Sequence, residues 1–366
     1  MTSLIQIDGA HGESGGQILR TSIAFSILTG KPFEIDNIRK GRQEPGLKNQ
    51  HLWCIKAAEK FCNAHSEGAD LGSTYVKFYP GKPQVTSLEI DLETAGSITL
   101  FLQSLLLPIM FCKKFKLSII GGTDVKFAQP YDYFAKVFLP HLSRFCIIKP
   151  SLKHRGYYPK GQGKIELGIT PLYQLFNFPS FEEFLSYTRN NVKGYNLLEQ
   201  YTLLYIKGIS HASIDLQQAK VAERQHLAAK STLAKYNYPV RIREEYSKSA
   251  STGSGIVLWS VFSKNKNDID SLNPIIIGSD ALGEKGIQAE KIGSLAAQRL
   301  IEEIESKAPV DHYLADQLLP FMAFASSKIK ISGISKHCLS NIYAIESFIG
   351  KTFEIDEKEQ IISTVF

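Results

Sequence analysis

Glu346-Ser-Phe-Ile-Gly-Lys-Thr-Phe-Glu-Ile-Asp356 repeats Ser26-Ile-Leu-Thr-Gly-Lys-Pro-Phe-Glu-Ile-Asp36, and this repetition decides the fold. Each copy reads as the end of a helix, a glycine stop and a short strand. A second pair supplies the preceding helix and strand: Leu106-Leu-Pro-Ile-Met110 with Phe115-Lys-Leu-Ser118, matched by Leu318-Leu-Pro-Phe-Met322 with Ile329-Lys-Ile-Ser332. Self-similarity of this kind points to one α/β unit used several times, with equivalent loops gathered at one end.

Outward from the C-terminal copy, Lys328 to Ile334 alternates as a strand, and the period then changes. Cys338, Ile342, Ile345 and Ile349 fall at i, i+4, i+7 and i+11, one face of an amphipathic helix that Gly350 closes. His337 therefore stands at or just before a helix N-terminus. Unpaired backbone N–H groups and the positive end of the helix dipole suit that place to phosphate oxygens, and an imidazole there can act as a nucleophile toward phosphorus. Taken alone, a histidine bonded to nearby backbone is the plainer reading.

The 366 residues, 43% hydrophobic and 21% charged, suffice for a full core in more than one domain. A formal charge of +6 and a pI near 8.8 fit a phosphate-rich partner without requiring one. Cys54, Cys62, Cys112, Cys146 and Cys338 form no CxxC pair, so they are expected to be reduced core residues in a cytoplasm, or a nucleus in a eukaryotic cell. The first residues lack a basic flank and long apolar core and read as a strand, not a signal peptide. Ile98 to Cys112 is too short and too interrupted to span a bilayer, so no membrane partner is expected.

Ser3 to Ile7 reads as a strand, Asp8 to Gly16 as a glycine-rich turn, and a helix follows with Leu19, Ile23 and Ile27 on one face. Such a loop lets backbone approach a phosphate, although the spacing matches neither GxGxxG nor GxxxxGK[ST]. Arg20 in the first turn opposes the helix dipole unless an anion is near. Glu13 reads either as a metal ligand or as a carboxylate at a helix N-terminus. Arg39, Lys40, Arg42 and Lys48 crowd a loop that enters a helix, where His51 shares a stripe with Ile55, Ala58 and Cys62. Gln103, set among leucines, needs a partner. From about 178 to 273 the texture differs: a strand at Tyr201 to Ile206, a helix from Lys220 to Lys235, and strands at Val240 to Glu244 and Gly255 to Phe262. This is expected to be a small inserted α/β domain, with 1–177 and 274–366 forming the large domain. Asp311 caps the helix that carries Tyr313, Asp316 and Gln317.

His154-Arg-Gly-Tyr-Tyr-Pro-Lys-Gly-Gln-Gly-Lys-Ile165 resembles the signature of the RNA 3'-terminal phosphate cyclases, with Gln162 where the family has its middle glycine. Asp8 to Arg20, Ile38 to Arg42 with Pro45-Gly-Leu and Gln50-His51, Tyr313 to Gln317, and His337 with Asn341 resemble its other motifs. The resemblance runs end to end. It implies an α/β (α+β) fold, with three repeated α/β units in a large domain, as in enolpyruvate transferases, plus a small insert. It implies an ATP-dependent enzyme that turns an RNA 3'-terminal phosphate into a 2',3'-cyclic phosphodiester through a histidyl-AMP and an RNA(3')pp(5')A. By this resemblance His337 is the nucleophile, and Gln103, Pro130, Tyr313, Asp316 and Gln317 form the ATP and AMP pocket. Arg20, Arg39, Arg42, Gln50 and His51 would hold phosphates or the RNA end, and Glu13 a divalent metal, Mg2+ or Mn2+. The partner is RNA with a 3'-terminal phosphate, and a homodimer is compatible with the sequence. The alternative is a non-catalytic cyclase-like factor in RNA processing or ribosome assembly, which should lack the nucleophile that His337 supplies.

Overall fold

In the computed structural model both Phe-Glu-Ile-Asp copies are strands, each directly after a helix and its glycine stop. The structure describes residues 4–13, 15–237, 239–265 and 268–366. Ser3 of the expected first strand, Ser14 of the glycine-rich turn, and Lys266 and Asn267 of the insert lie outside the described residues.

The first unit runs β1 (Ile5–Asp8), α1 (Gln17–Thr29), β2 (Phe33–Asp36), α2 (Asn49–Cys62), β3 (His65–Glu67) and β4 (Val76–Tyr79). Its sheet has the order β1-β2-β4-β3, parallel only between β1 and β2. The second runs β5 (Ser87–Asp91), α3 (Ile98–Met110), β6 (Phe115–Gly121), α4 (Tyr131–Tyr133), β7 (Cys146–His154) and β8 (Gly163–Pro171). It pairs as β5-β6-β8-β7, again parallel only at the first pair. α4 continues in irregular helical turns to Arg144.

After α5 (Phe181–Asn191) the third unit opens with β9 (Asn196–Leu197) and is interrupted. β10 (Thr202–Ser213), α6 (Val221–Leu233), β11 (Val240–Ser247), β12 (Ser254–Ser263), β13 (Ile275–Leu282) and α7 (Ala289–Glu305) intervene. The unit then resumes as α8 (His312–Met322), β14 (Lys328–Lys330), α9 (Lys336–Ile349), β15 (Phe353–Asp356) and β16 (Ile361–Thr364). The order β9-β14-β16-β15 reproduces the other two sheets. The chain is therefore one βαβαββ unit three times over, the third split between its first strand and first helix. The split holds a fourth sheet, β11-β10-β12-β13, against which α6 and α7 pack. Boundaries at 178 and 273 do not coincide with these elements. β9 belongs to the third sheet, and the polar stretch that ends near 270 is the connection between β12 and β13, which pair along their length.

α1 sits where the three units meet, against α2 of its own unit, α3 of the second and α9 of the third. Gln17, Arg20, Thr21, Ser22 and Ser26 on it are buried, so nearly every polar group it carries must find a partner inside the protein.

Among buried polar side chains His141 is unusual, because neither ring nitrogen has a hydrogen-bond partner. Burial, helped by Arg144, pushes its pKa down to about 3 from 6.5. The unfolded chain therefore binds more protons between these values, so stability is fully present above 6.5 and is lost as pH falls. His141→Phe keeps a ring of similar size and removes the titration. Against wild type it should gain about 2 kcal/mol at about pH 5 relative to its position at about pH 7. Urea unfolding at the two pH values measures this, and equal pH slopes would contradict it.

Candidate active site

Ser335 caps α9 by accepting a hydrogen bond from the Cys338 N–H at 3.1 Å, which places His337 in the exposed first turn. The glycine-rich turn is laid along this helix. Ser340 Oγ accepts from the Glu13 N–H at 3.3 Å and donates to the His11 carbonyl at 3.2 Å. Tyr343 stacks on His11 with ring centroids 4.0 Å apart, and its hydroxyl accepts from the Asp8 N–H at 3.0 Å. The turn thereby delivers Glu13 to the histidine. Glu13 Oε2 lies 2.5 Å from His337 Nε2, while Oε1 pairs with Arg42.

The opposite side of the imidazole is set by Gln17, at the start of α1. Gln17 Nε2 donates to Asp316 Oδ2 at 2.9 Å, which fixes which end of its amide is oxygen. That oxygen, Oε1, stands 2.5 Å from His337 Nδ1 and can only accept. Nδ1 is thus a donor, and Nε2 is the nitrogen turned toward Glu13 and the loop. Loss of water contact raises the Asp316 pKa, opposed by His337, Gln17 and Arg20. Asn341 steadies the same carboxylate's backbone, donating to the Asp316 carbonyl at 2.7 Å and accepting from Thr21 at 2.6 Å.

Arg20 is buried beside this relay, and its Nε donates to Gln103 Oε1 at 2.8 Å, the partner that an amide among leucines needs. Burial lowers the Arg20 pKa, while Cys54, Asp316 and Glu13 act to raise it. His51 caps α2: its Nδ1 accepts from the Lys48 N–H at 3.0 Å, which leaves the proton on Nε2. Burial first, then Arg20, Arg39 and Lys48, lower its pKa to about 3, so it is a neutral donor. That donor points at the backbone of Gly16, where a Cβ would sit 2.0 Å from Nε2; only glycine leaves room. Gln50 Nε2 is buried with no hydrogen-bond partner. Arg39 differs from its neighbours: it donates to the carbonyls of Glu44 at 2.9 Å and Gly46 at 3.0 Å, and so shapes the loop that presents Arg42.

Behind these groups is a narrow, partly open cavity whose walls include Gln103, Asp316, Gln317, Thr99, Phe134 and Asn341. Pro130 caps α4, which runs into Phe134, and Tyr313 stands edge-on to Tyr133 at 6.3 Å; neither belongs to the cavity wall itself. The arrangement offers one oriented imidazole nitrogen, cations and N–H donors for an anion, and an adjoining cleft. That combination suits phosphoryl or nucleotidyl transfer.

A family model described as RNA 3'-terminal phosphate cyclase matches residues 11–355. The chain is 41% identical over 355 residues to the RNA 3'-terminal phosphate cyclase of Pyrococcus furiosus, covering 96% of this chain and 95% of that protein. It is 40% identical over 366 residues to the protein of that name from Methanosarcina acetivorans, covering 97% and 98%. The chain belongs to the RNA 3'-terminal phosphate cyclase family. The match spans all three units and the insert between them.

The cyclase signature makes its contacts in the seam between the second unit and the insert. Arg155 is 1% exposed, and its guanidinium reaches Asp124 at 3.2 Å, Asp132 at 2.7 Å and Glu245 of β11 at 3.0 Å. His211 of β10 lies 3.2 Å from Asp124 and 2.8 Å from the Tyr157 hydroxyl. Burial works against the Asp124 charge, but His211 and Arg155 prevail and hold its pKa below the usual carboxylate range. Gly156 and Gly163 flank the turn at close quarters, since a Cβ on Gly163 would stand 2.5 Å from the Gly156 nitrogen. The intervening Gln162 is exposed and keeps a left-handed φ of 59°, so the departure from the family pattern leaves the backbone course intact.

Gln17 escaped the sequence reading. Its signal was present, a polar side chain directly after two glycines at a helix start, but its partners lie 299 and 320 residues away. Arg155→Met should cost about 3–5 kcal/mol of stability in chemical unfolding, because two carboxylates stay buried without their counter-charge. A loss below about 1 kcal/mol would contradict the buried-pair account.

Proposed function

We propose that the chain converts an RNA 3'-terminal phosphate to a 2',3'-cyclic phosphodiester with consumption of ATP, by way of AMP carried on His337. The observation that carries this reading is the relay Asp316, Gln17, His337: it holds Nδ1 as a donor and turns Nε2 toward the loop, where Nε2 becomes the nucleophile once the proton it shares with Glu13 has passed to that carboxylate. Nε2 attacks the α-phosphorus of ATP, the bond to the bridging oxygen breaks, and pyrophosphate leaves. A 3'-phosphate oxygen of the RNA then takes the adenylyl group, giving RNA(3')pp(5')A and freeing the histidine. The neighbouring 2'-hydroxyl loses its proton and closes on the 3'-phosphorus, and AMP departs. Activation is needed because a phosphate monoester has no good leaving group of its own.

In this reading Gln103, Asp316 and Gln317 face the nucleotide in the cavity, with Pro130 and Tyr313 at its margin to pack on adenine. Arg20, Arg42, Gln50 and His51 donate to phosphates; the unpartnered Gln50 amide suits that role. Arg39 acts on the same phosphates through the loop it holds. Glu13 fits a Mg2+ or Mn2+ ion, since Oε2 has no regular hydrogen bond and faces the attacking nitrogen. When bound, such an ion supplies charge neutralisation on the phosphates. The 2.5 Å contact between Glu13 and Nε2 must open before Nε2 can attack, so Glu13 also guards the nucleophile in the absence of nucleotide.

The test is an RNA oligonucleotide ending in a 3'-phosphate, incubated with ATP and divalent metal, and then assayed for resistance of that phosphate to phosphatase. Resistance should require ATP. Gln17→Met, which keeps the length of the side chain but neither amide bond, should lower kcat by roughly 100-fold or more with less change in KM for RNA. Wild-type turnover in that variant would remove the relay from the mechanism.

A further inference from the structure

The loop between β6 and α4 and the signature turn each display one bare aromatic ring. Phe127 is 97% exposed and Tyr158 is 76% exposed, against a core that buries nearly all other phenylalanines. The Tyr131 N–H donates to the Thr123 carbonyl at 2.9 Å and closes the loop 123–131, which leaves Phe127 at its tip. Gly161 N–H donates to the Tyr157 carbonyl at 2.8 Å and closes the turn behind Tyr158. The two loops rise from one base, where Thr123 N–H meets the Gly156 carbonyl at 2.9 Å and Arg155 pairs with Asp124. Both rings are thus presented from fixed supports. Phe127 also holds a φ of 64°, a left-handed conformation that a bulky side chain rarely adopts, so the exposed ring is displayed at a backbone cost.

Each ring has an exposed lysine near it in sequence: Lys126 directly before Phe127, paired with Glu284 at 2.9 Å, and Lys160 two residues after Tyr158. The platform is tied to the cavity: Thr99 in the cavity wall donates to the Gln129 carbonyl at 2.7 Å, two residues from Phe127. Two separate rings with neighbouring cations do not make the continuous apolar patch that a protein or membrane partner needs. They do match unpaired nucleobases, which offer a flat face to an aromatic ring and a phosphate to a lysine.

We propose that Phe127 and Tyr158 form a stacking platform for unpaired nucleobases just upstream of the RNA 3' end, so that the substrate class is RNA with a single-stranded 3' terminus. This rests on the cyclase reading of the same site.

Phe127→Gly is a discriminating variant, because glycine accepts the left-handed backbone and the fold should be as stable as wild type or more so. The probe is a fluorescent single-stranded oligonucleotide with a 3'-phosphate, compared with the same end held in a blunt duplex. Phe127→Gly and Tyr158→Ala should each weaken single-strand binding about 5- to 100-fold, and Phe127→Trp should restore it. The duplex end should respond little, and formation of the ATP-derived covalent adduct without RNA should be unchanged. Unchanged single-strand affinity in both variants and their double mutant would overturn the platform, as would a shift in oligomeric state on sedimentation, which would make the rings a protein contact. Wild type that binds the oligonucleotide through these rings but never cyclises it would remove the catalytic reading and leave the platform. Normal cyclisation with unaltered KM for RNA in the variants would do the reverse.

Discussion

Two hydrogen bonds of one amide hold the site in register. Gln17 at the start of α1 reaches Asp316 of α8 and His337 of α9, so segments from the first and third units meet at a single side chain. Because an amide oxygen only accepts and an amide nitrogen only donates, the pair of bonds makes Nδ1 a donor without any charged group touching it. The geometry is inherited from the packing of α1, which is buried along its length between α3 and α9 and cannot rotate without unburying its apolar face. Core packing and the orientation of His337 are thereby one constraint, with Asn341 and Thr21 forming a second tie between helices of the same two units.

The threefold repetition explains why such a site forms. Each βαβαββ unit puts its helix starts and the loops before them at the same end, and the ends of units one and three converge on His337. The insert enters the third unit between its first strand and first helix, close to the helix that carries Asp316. Asp311 ties the two together, since it caps α8 through the Tyr313 and Leu314 N–H groups while accepting from Gly278 of β13 at 2.9 Å. Arg155 makes the second tie, from the signature turn to β11. The signature is therefore legible as a structural clasp between the second unit and the insert rather than a ring of groups around His337.

Much of this was readable in the sequence because repetition and period are local signals. The paired Phe-Glu-Ile-Asp strands, the helix under His337 and the separate character of the insert all follow from residues within one or two turns of each other. The edges of the insert were not readable: β9 is two residues long, and β13 opens on the continuous apolar run Ile275 to Ile277, which fits a buried strand of any sheet, so neither announces which sheet it joins. Candidate residues emerged where chemistry was odd for its place, as with Arg20 in a first helical turn. Their roles relative to one another did not, since the bonds of Gln17, Arg20 and Asn341 all cross between units. Arg39 shows the converse: a cation in a basic loop whose observed bonds serve the loop itself.

The most direct measurement is peptide mapping of the protein after incubation with ATP labelled in its α-phosphate, with divalent metal and no RNA. The account predicts one acid-labile adduct on the peptide that contains His337, attached through Nε2 and absent from His337→Ala. No covalent label on folded protein, or a label that persists in that variant, would contradict it.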